Sequence, residues 1–244
     1  YKRQPTVGVN DAFKPVSRYW DRITHPAQVI QSLPNAIATM LDPADCGPVF
    51  LGLPQDVQGW SYDFPSVFFE KKIHRIRRQT PDINEINDAV DILSSAKRPM
   101  IIAGGGVQYS KATAELKNFA EEHQIPVVET IAGRANLKND HTLNIGPIGV
   151  TGSESANHIA QNADVILAVG TRLQDFTTGS WTAFALDAKF ICLNAGRHDA
   201  GKHLAFSIVG DAKLSLEKLS KNLNYVAPKN WVQLARDERI KWDK

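Results

Sequence analysis

Two stretches of this 244-residue chain place groups at a spacing that could bind a ligand. The first is Gly104-Gly105-Gly106, directly after the apolar run Met100-Ile101-Ile102-Ala103. A glycine turn between a strand and a helix can aim backbone N–H groups at a phosphate. The next residues are Val107-Gln108-Tyr109, so the full G-x-G-x-x-G fingerprint is missing. A tight turn that tolerates close packing is the plainer explanation. The second stretch runs from Gly170 to Trp181 and contains Arg172, Gln174, Asp175, Thr177, Thr178 and Ser180. A guanidinium, a carboxylate and several hydroxyls beside an aromatic ring could hold a phosphate, a sugar or a polyol. Arg172 and Asp175 could equally pair with each other or with a neighbouring domain. A third stretch, His141 to Gly152, holds Gly146, Gly149 and Gly152 and could shape a pocket floor or form a flexible crossover.

Other chemistries find little support. The seven histidines are scattered, and no two have the i, i+4 spacing of a helical metal site. They read as structural or exposed. Cys46 and Cys192 form neither a disulfide framework nor a zinc knuckle, and a reducing cytoplasm is expected. No G-x-S-x-G elbow is present, which argues against a hydrolase with its own serine. Lysine and arginine number 28 against 26 acidic residues, so no basic face for nucleic acid is implied. The run Lys71-Lys72-Ile73-His74-Arg75-Ile76-Arg77-Arg78 reads as a solvated linker. The longest clean apolar stretch, Val165–Val169, falls far short of the ~20 residues that span a bilayer.

The elements that must position these residues follow from periodicity. Ala27 to Leu41 reads as helix, with Ile30, Leu33, Ile37 and Met40 inward and a kink or break at Pro34. Val49–Leu53 reads as a short strand, and residues 57–79 hold no clear element. Thr80-Pro81-Asp82 is a helix start, with Ile83, Ile86, Val90 and Leu93 at helical spacing. A strand at Met100–Ala103 follows, then a helix capped by Ser110 with Ala112, Leu116, Phe119 and Ala120 inward. Further strands are expected at Ile125–Glu129, Asp164–Val169, Lys189–Leu193 and Phe206–Val209. Helices are expected from Ser153 to Asn162 and after the cap Gly210-Asp211. Short, continuously apolar strands separated by helices predict an α/β fold, a doubly wound parallel sheet with ligands at the carboxyl ends of its strands.

Several runs resemble the thiamine-diphosphate-dependent decarboxylase and acetolactate synthase superfamily. Gly47-Pro48-Val49-Phe50-Leu51-Gly52-Leu53-Pro54-Gln55-Asp56-Val57 is similar to the end of its pyrimidine-binding domain. Lys97 to Val107, Ala163 to Arg172 and Gly210-Asp211-Ala212 resemble its Rossmann-like central domain. Within the superfamily, Asn10 to Ile23 and Thr171 to Trp181 resemble the trihydroxycyclohexanedione hydrolase family of myo-inositol catabolism. That resemblance implies a cytoplasmic enzyme, a homodimer or homotetramer when complete, that opens a cyclic diketone to 5-deoxyglucuronic acid with thiamine diphosphate and Mg²⁺. Acetolactate synthesis on the same scaffold, or a nucleotide-binding or purely structural module, are the rival readings.

The same resemblance divides the chain. Residues 1–57 would be the tail of a pyrimidine-binding domain, 58–79 a linker, 80–224 the central domain and 225–244 the start of a linker to a diphosphate-binding domain. Tyr1 is not an initiator Met and the chain stops in the charged Lys241-Trp242-Asp243-Lys244, so a piece of a longer protein is expected. The family's activating glutamate and its G-D-G…Asn motif have no counterpart, since Gly210-Asp211-Ala212 reads as a helix cap. No catalytic or metal-binding residue is therefore expected here, and no thiamine diphosphate is expected to bind this chain alone. By position, relatives that bind FAD or ADP would use Gly104, Gly105, Arg172 and Asp175. Asn194-Ala195-Gly196 departs from the acidic residue those relatives show. Arg172, Gln174, Asp175 and Thr178 are the candidates for contact with substrate or a neighbouring domain.

Overall fold

A computed structural model describes residues 8–244. The chain divides into two compact units, the second beginning at Arg78. In the first unit a 3-10 segment, Val9–Val16, precedes strand β1 (Tyr19–Arg22). Helix α1 (Val29–Met40) follows, then β2 (Val49–Gly52) and the single turn α2 (Gln55–Gln58). β1 and β2 pair in parallel, Tyr19 opposite Val49. Phe13 stacks on Phe50 with ring centroids 4.6 Å apart.

In α1 the break allowed at Pro34 does not occur, and the expected inward face fails in part. The helix is one continuous 12-residue segment through Pro34, and its buried residues are Ser32 and Ala36. Leu33 and Met40, expected inward, are 38% and 49% exposed. A polar tie lies on the buried side: Asp21 of β1 accepts hydrogen bonds from Ser32 Oγ and from Gln28 Nε2. A carboxylate accepting several donors fixes the helix face more firmly than two partly buried apolar side chains. A further 3-10 turn, Ser66–Phe69, lies where no element was expected.

The second unit opens with α3 (Ile83–Ser94) and β3 (Pro99–Ala103). Then come α4 (Gly105–Tyr109), α5 (Thr113–His123), β4 (Val127–Glu129), β5 (Asn144–Pro147) and α6 (Glu154–Asn162). The chain continues through β6 (Val165–Val169), α7 (Asp175–Thr178), β7 (Lys189–Asn194), α8 (Arg197–Ala200) and β8 (Phe206–Val209). It ends with α9 (Ala212–Asn222) and α10 (Lys229–Trp242). The six strands form one parallel sheet in the order β5-β4-β3-β6-β7-β8.

β3 and β6 are buried along their whole length, which is why their sequences are unbroken apolar runs. The period-2 alternation of a strand sends Ile101 and Ala103 to one core with α3, α5 and α9. It sends Met100 and Ile102 to the other core with Ile159 of α6 and Trp231 of α10. Helices therefore cover both faces, as the doubly wound reading requires.

Local corrections have local causes. Helix α3 starts two residues later than expected: Asp82, not Thr80, is the cap and accepts the Asn84 N–H at 2.7 Å. Ile83 stays exposed. Ser110 does not cap α5, which follows Ala112. Its hydroxyl instead donates to Asp211 at 2.8 Å and accepts the Ala212 N–H at 3.2 Å, so it serves α9. The stretch left open as pocket floor or crossover contains β5, an edge strand. Residues 225–244, expected to begin a linker, hold α10, whose Trp231 donates from Nε1 to the Pro99 carbonyl at 2.8 Å.

Candidate functional site

The sheet order places the topological switch between β3 and β6, where crossovers leave in opposite directions. Ligands of open α/β sheets bind outside the strand ends at this point. Both candidate stretches lie there: the glycine turn follows β3 and the Gly170–Trp181 stretch follows β6.

The glycine turn is closed by its neighbour. Gly104 N–H donates to the Val169 carbonyl at 2.8 Å, and Gly106 N–H donates to the Gly170 carbonyl at 2.8 Å. A Cβ on Gly104 would sit 2.3 Å from the Gly170 oxygen, and one on Gly106 would sit 2.6 Å from the Gly170 Cα. Gly170 itself has φ +59. Glycine is needed here because two backbones touch. Asn136, buried in the loop after β4, donates from Nδ2 to the carbonyls of Gly104 at 3.1 Å and Gly133 at 2.9 Å. Sequence reasoning missed Asn136; its signal was its place just past a strand's carboxyl end.

The second stretch splits into an exposed and a buried part. Arg172, Gln174 and Asp175 are exposed, and among the described residues neither Arg172 nor Asp175 forms an ion pair with the other. The Arg172 carbonyl accepts from Lys202 Nζ at 2.9 Å. Gln174 sits at the start of α7, and its carbonyl accepts from Thr177 N at 2.9 Å and Thr178 N at 3.0 Å. Thr178 is fully buried, and its Oγ1 accepts from Trp181 N at 3.3 Å. The four candidates thus share one loop, but only three face outward.

Asn194, at the end of β7, was noted only as a departure from an acidic residue. Its Nδ2 donates to the Thr171 carbonyl at 3.1 Å, and its Oδ1 accepts from Gly196 N at 3.0 Å. It ties the loops after β6 and β7 together. Beside these loops lies a depression of about 410 Å³ lined by Gly149, Val150, Asn157, Gln161, Gly179 and Ser180, among others. Cys192 of β7 is buried, and burial pushes its thiol up to about 12. A buried thiol shifted in this direction is a poor nucleophile at neutral pH.

The fit of a Mg²⁺-diphosphate can be tested at Asp211. One carboxylate oxygen accepts from Arg78 at 2.8 Å and Ser110 at 2.8 Å. The other accepts from Lys213 N at 3.1 Å and Leu214 N at 3.3 Å. Both oxygens are committed to the protein, and Mg²⁺ needs oxygen ligands in near-octahedral geometry. Among the described residues no three His, Cys, Asp or Glu side chains lie together to hold a metal. Asp211 therefore does not fit that group.

Comparison with known proteins agrees with this architecture. The family model of the thiamine pyrophosphate enzyme central domain matches residues 86–219, more than half of the chain. A 3D-(3,5/4)-trihydroxycyclohexane-1,2-dione hydrolase of Clostridium perfringens (strain 13 / Type A) is 48% identical over 214 residues, 87% of this chain and 34% of that protein. The proteins of that name from Bacillus subtilis (strain 168) and Clostridium botulinum (strain Alaska E43 / Type E3) are 47% and 42% identical, over 87% and 97% of this chain. The chain spans about a third of the length of these curated relatives, 34% and 37% for the latter two. With a parallel six-stranded sheet, its switch point between β3 and β6, and a family match over most of that sheet, the chain belongs to the thiamine pyrophosphate enzymes, through their central domain.

Proposed function

We propose that this chain is part of a thiamine-diphosphate-dependent hydrolase that opens the ring of 3D-(3,5/4)-trihydroxycyclohexane-1,2-dione to 5-deoxyglucuronate in myo-inositol degradation. One observation carries the reading. Relatives bearing that name align over 87–97% of the chain, well outside the central-domain match at residues 86–219. A shared central domain alone would support any reaction of the family, acetolactate synthesis included.

In this reading the complete enzyme is a cytoplasmic homodimer or homotetramer that takes a small cyclic diketone, and Mg²⁺ accompanies its thiamine diphosphate. Residues 1–57 belong to its pyrimidine-binding domain and 80–224 to its central domain. This chain supplies positioning. Gly104 and Gly106 pack the turn after β3 against the end of β6, their amides donating to the Val169 and Gly170 carbonyls, while Gly105 lies against Ala132. Arg172, Gln174 and Asp175 project from a loop held by Asn194 and reach substrate or an adjoining domain. Thr178 braces that loop from inside. Catalytic and metal ligands come from elsewhere in the protein.

The test is an assay of the full-length protein with the cyclic dione against pyruvate. Turnover of the dione, with no acetolactate from pyruvate, is expected, and the reverse would refute the reading. Calorimetry of the present chain with thiamine diphosphate and Mg²⁺ should show no binding; micromolar affinity would overturn the division of labour.

A further inference from the structure

The basic run of the first unit has no role in the reading above. Residues 71–80 lie outside every helix and strand, and all are exposed. Among the described residues Lys71, Lys72, Arg75 and Arg77 form no ion pair. Yet the run is not simply splayed into solvent. Ile73, His74, Arg75 and Arg77 return to the end of α1 and, with Ala38, Leu41 and Asp42, line a depression of about 510 Å³.

Its chemistry is two-sided. Ala38, Leu41 and Ile73 contribute apolar lining, and Arg75 and Arg77 line it as well. Both arginines line the same depression, so the two arms can reach one ligand together. The neighbouring Asp42 forms no ion pair with either arginine among the described residues. Asp42 Oδ1 accepts from its own turn, Ala44 N at 2.8 Å and Asp45 N at 2.7 Å. The last turn of α1 is likewise closed by backbone bonds, Leu41 N to the Ile37 carbonyl at 3.1 Å and Asp42 N to the Thr39 carbonyl at 3.4 Å. Planar, forked guanidiniums match phosphoryl oxygens bidentately. The volume falls within the roughly 300–1,000 Å³ of small-molecule sites.

We propose that this depression binds a small phosphorylated ligand, its phosphate held by Arg75 and Arg77 and its ring or carbon skeleton lying on Ala38, Leu41 and Ile73. A nucleotide and a sugar phosphate share that chemistry. A long acidic peptide would use the charges but not the apolar lining.

The experiment is calorimetry of the chain with ADP, ribose 5-phosphate and adenosine, repeated with Arg75→Ala/Arg77→Ala. Both positions are exposed, and far-UV circular dichroism would verify that the double variant folds. At least one phosphorylated probe should bind, adenosine should not, and the double variant should weaken binding by about tenfold or more. ADP binding tighter than the sugar phosphate identifies a nucleotide source, and the reverse order identifies a sugar phosphate. Ligand should also slow tryptic cleavage after Arg75 and Arg77. Absence of binding, binding untouched by the double substitution, or polyglutamate competing as well as the best probe at equal charge would each overturn the proposal.

Discussion

Asp211 joins three parts of the second unit: it caps α9, pairs with Arg78 and accepts the Ser110 hydroxyl. Replacing it with alanine removes a helix cap and leaves a half-exposed guanidinium without its partner. Asp211→Ala should cost roughly 2–3 kcal/mol, read as a lower urea midpoint; a change under about 0.5 kcal/mol would contradict this account. In the first unit, Ser32, Gln28 and the Arg22 amide hold the Asp21 carboxyl below its ordinary value of 3.8. A lowered carboxyl adds stability above that value and loses it as pH falls through the folded-state value. The penalty of Ser32→Ala should thus be full at neutral pH and vanish in strong acid; an equal penalty at about pH 2 would refute the assignment. The two thiols should differ as sharply. Native protein at about pH 8 should take one iodoacetamide label, on exposed Cys46, and take the second only on unfolding, because Cys192 is buried.

At the scale of elements, close backbone contact at the strand ends governs tolerance. A Cβ on Gly133 would lie 2.1 Å from the Ala103 carbonyl oxygen, at the end of β3. Gly133→Ala should lower the melting temperature by more than about 10 °C, since the neighbour is backbone and cannot rotate away. Gly201 offers a control, its nearest neighbour being 3.5 Å away at φ −90, and Gly201→Ala should change stability by under about 1 kcal/mol. These contacts also mark what sequence could and could not reveal. Strands β3 and β6 were legible because burial on both faces demands unbroken apolar residues. The caps Ser153 and Asp211 were legible because a side-chain oxygen before a helix has a local job. Strand β5 was not: Asn144-Ile145-Gly146-Pro147 looks like a turn, and an edge strand tolerates proline where a central one does not. Ser110 was misjudged for a different reason. Its partner, Asp211, is fixed by tertiary packing rather than by neighbouring sequence. Of the candidate site, the loop was legible and its outward residues were not separable from its bracing ones.

At the scale of the molecule, the segment of sequence that links the two compact units is rich in lysine and arginine and carries no helix or strand. Trypsin at low ratio should cut first after Lys71, Lys72, Arg75 or Arg77, and leave a resistant piece beginning near Arg78. Early cuts inside residues 86–219 would show that the second unit is less stable than its sheet implies. That unit is also closed by its last element. Trp231 of α10 hydrogen-bonds the carbonyl of Pro99 at the start of β3, 132 residues earlier in the chain. During synthesis, then, the first strand of the sheet must wait for the last helix of this unit to leave the ribosome. Until it does, one core lacks its indole and the buried end of β3 stands open to water. The nascent domain has a long vulnerable interval, and the burial of a single tryptophan marks its close.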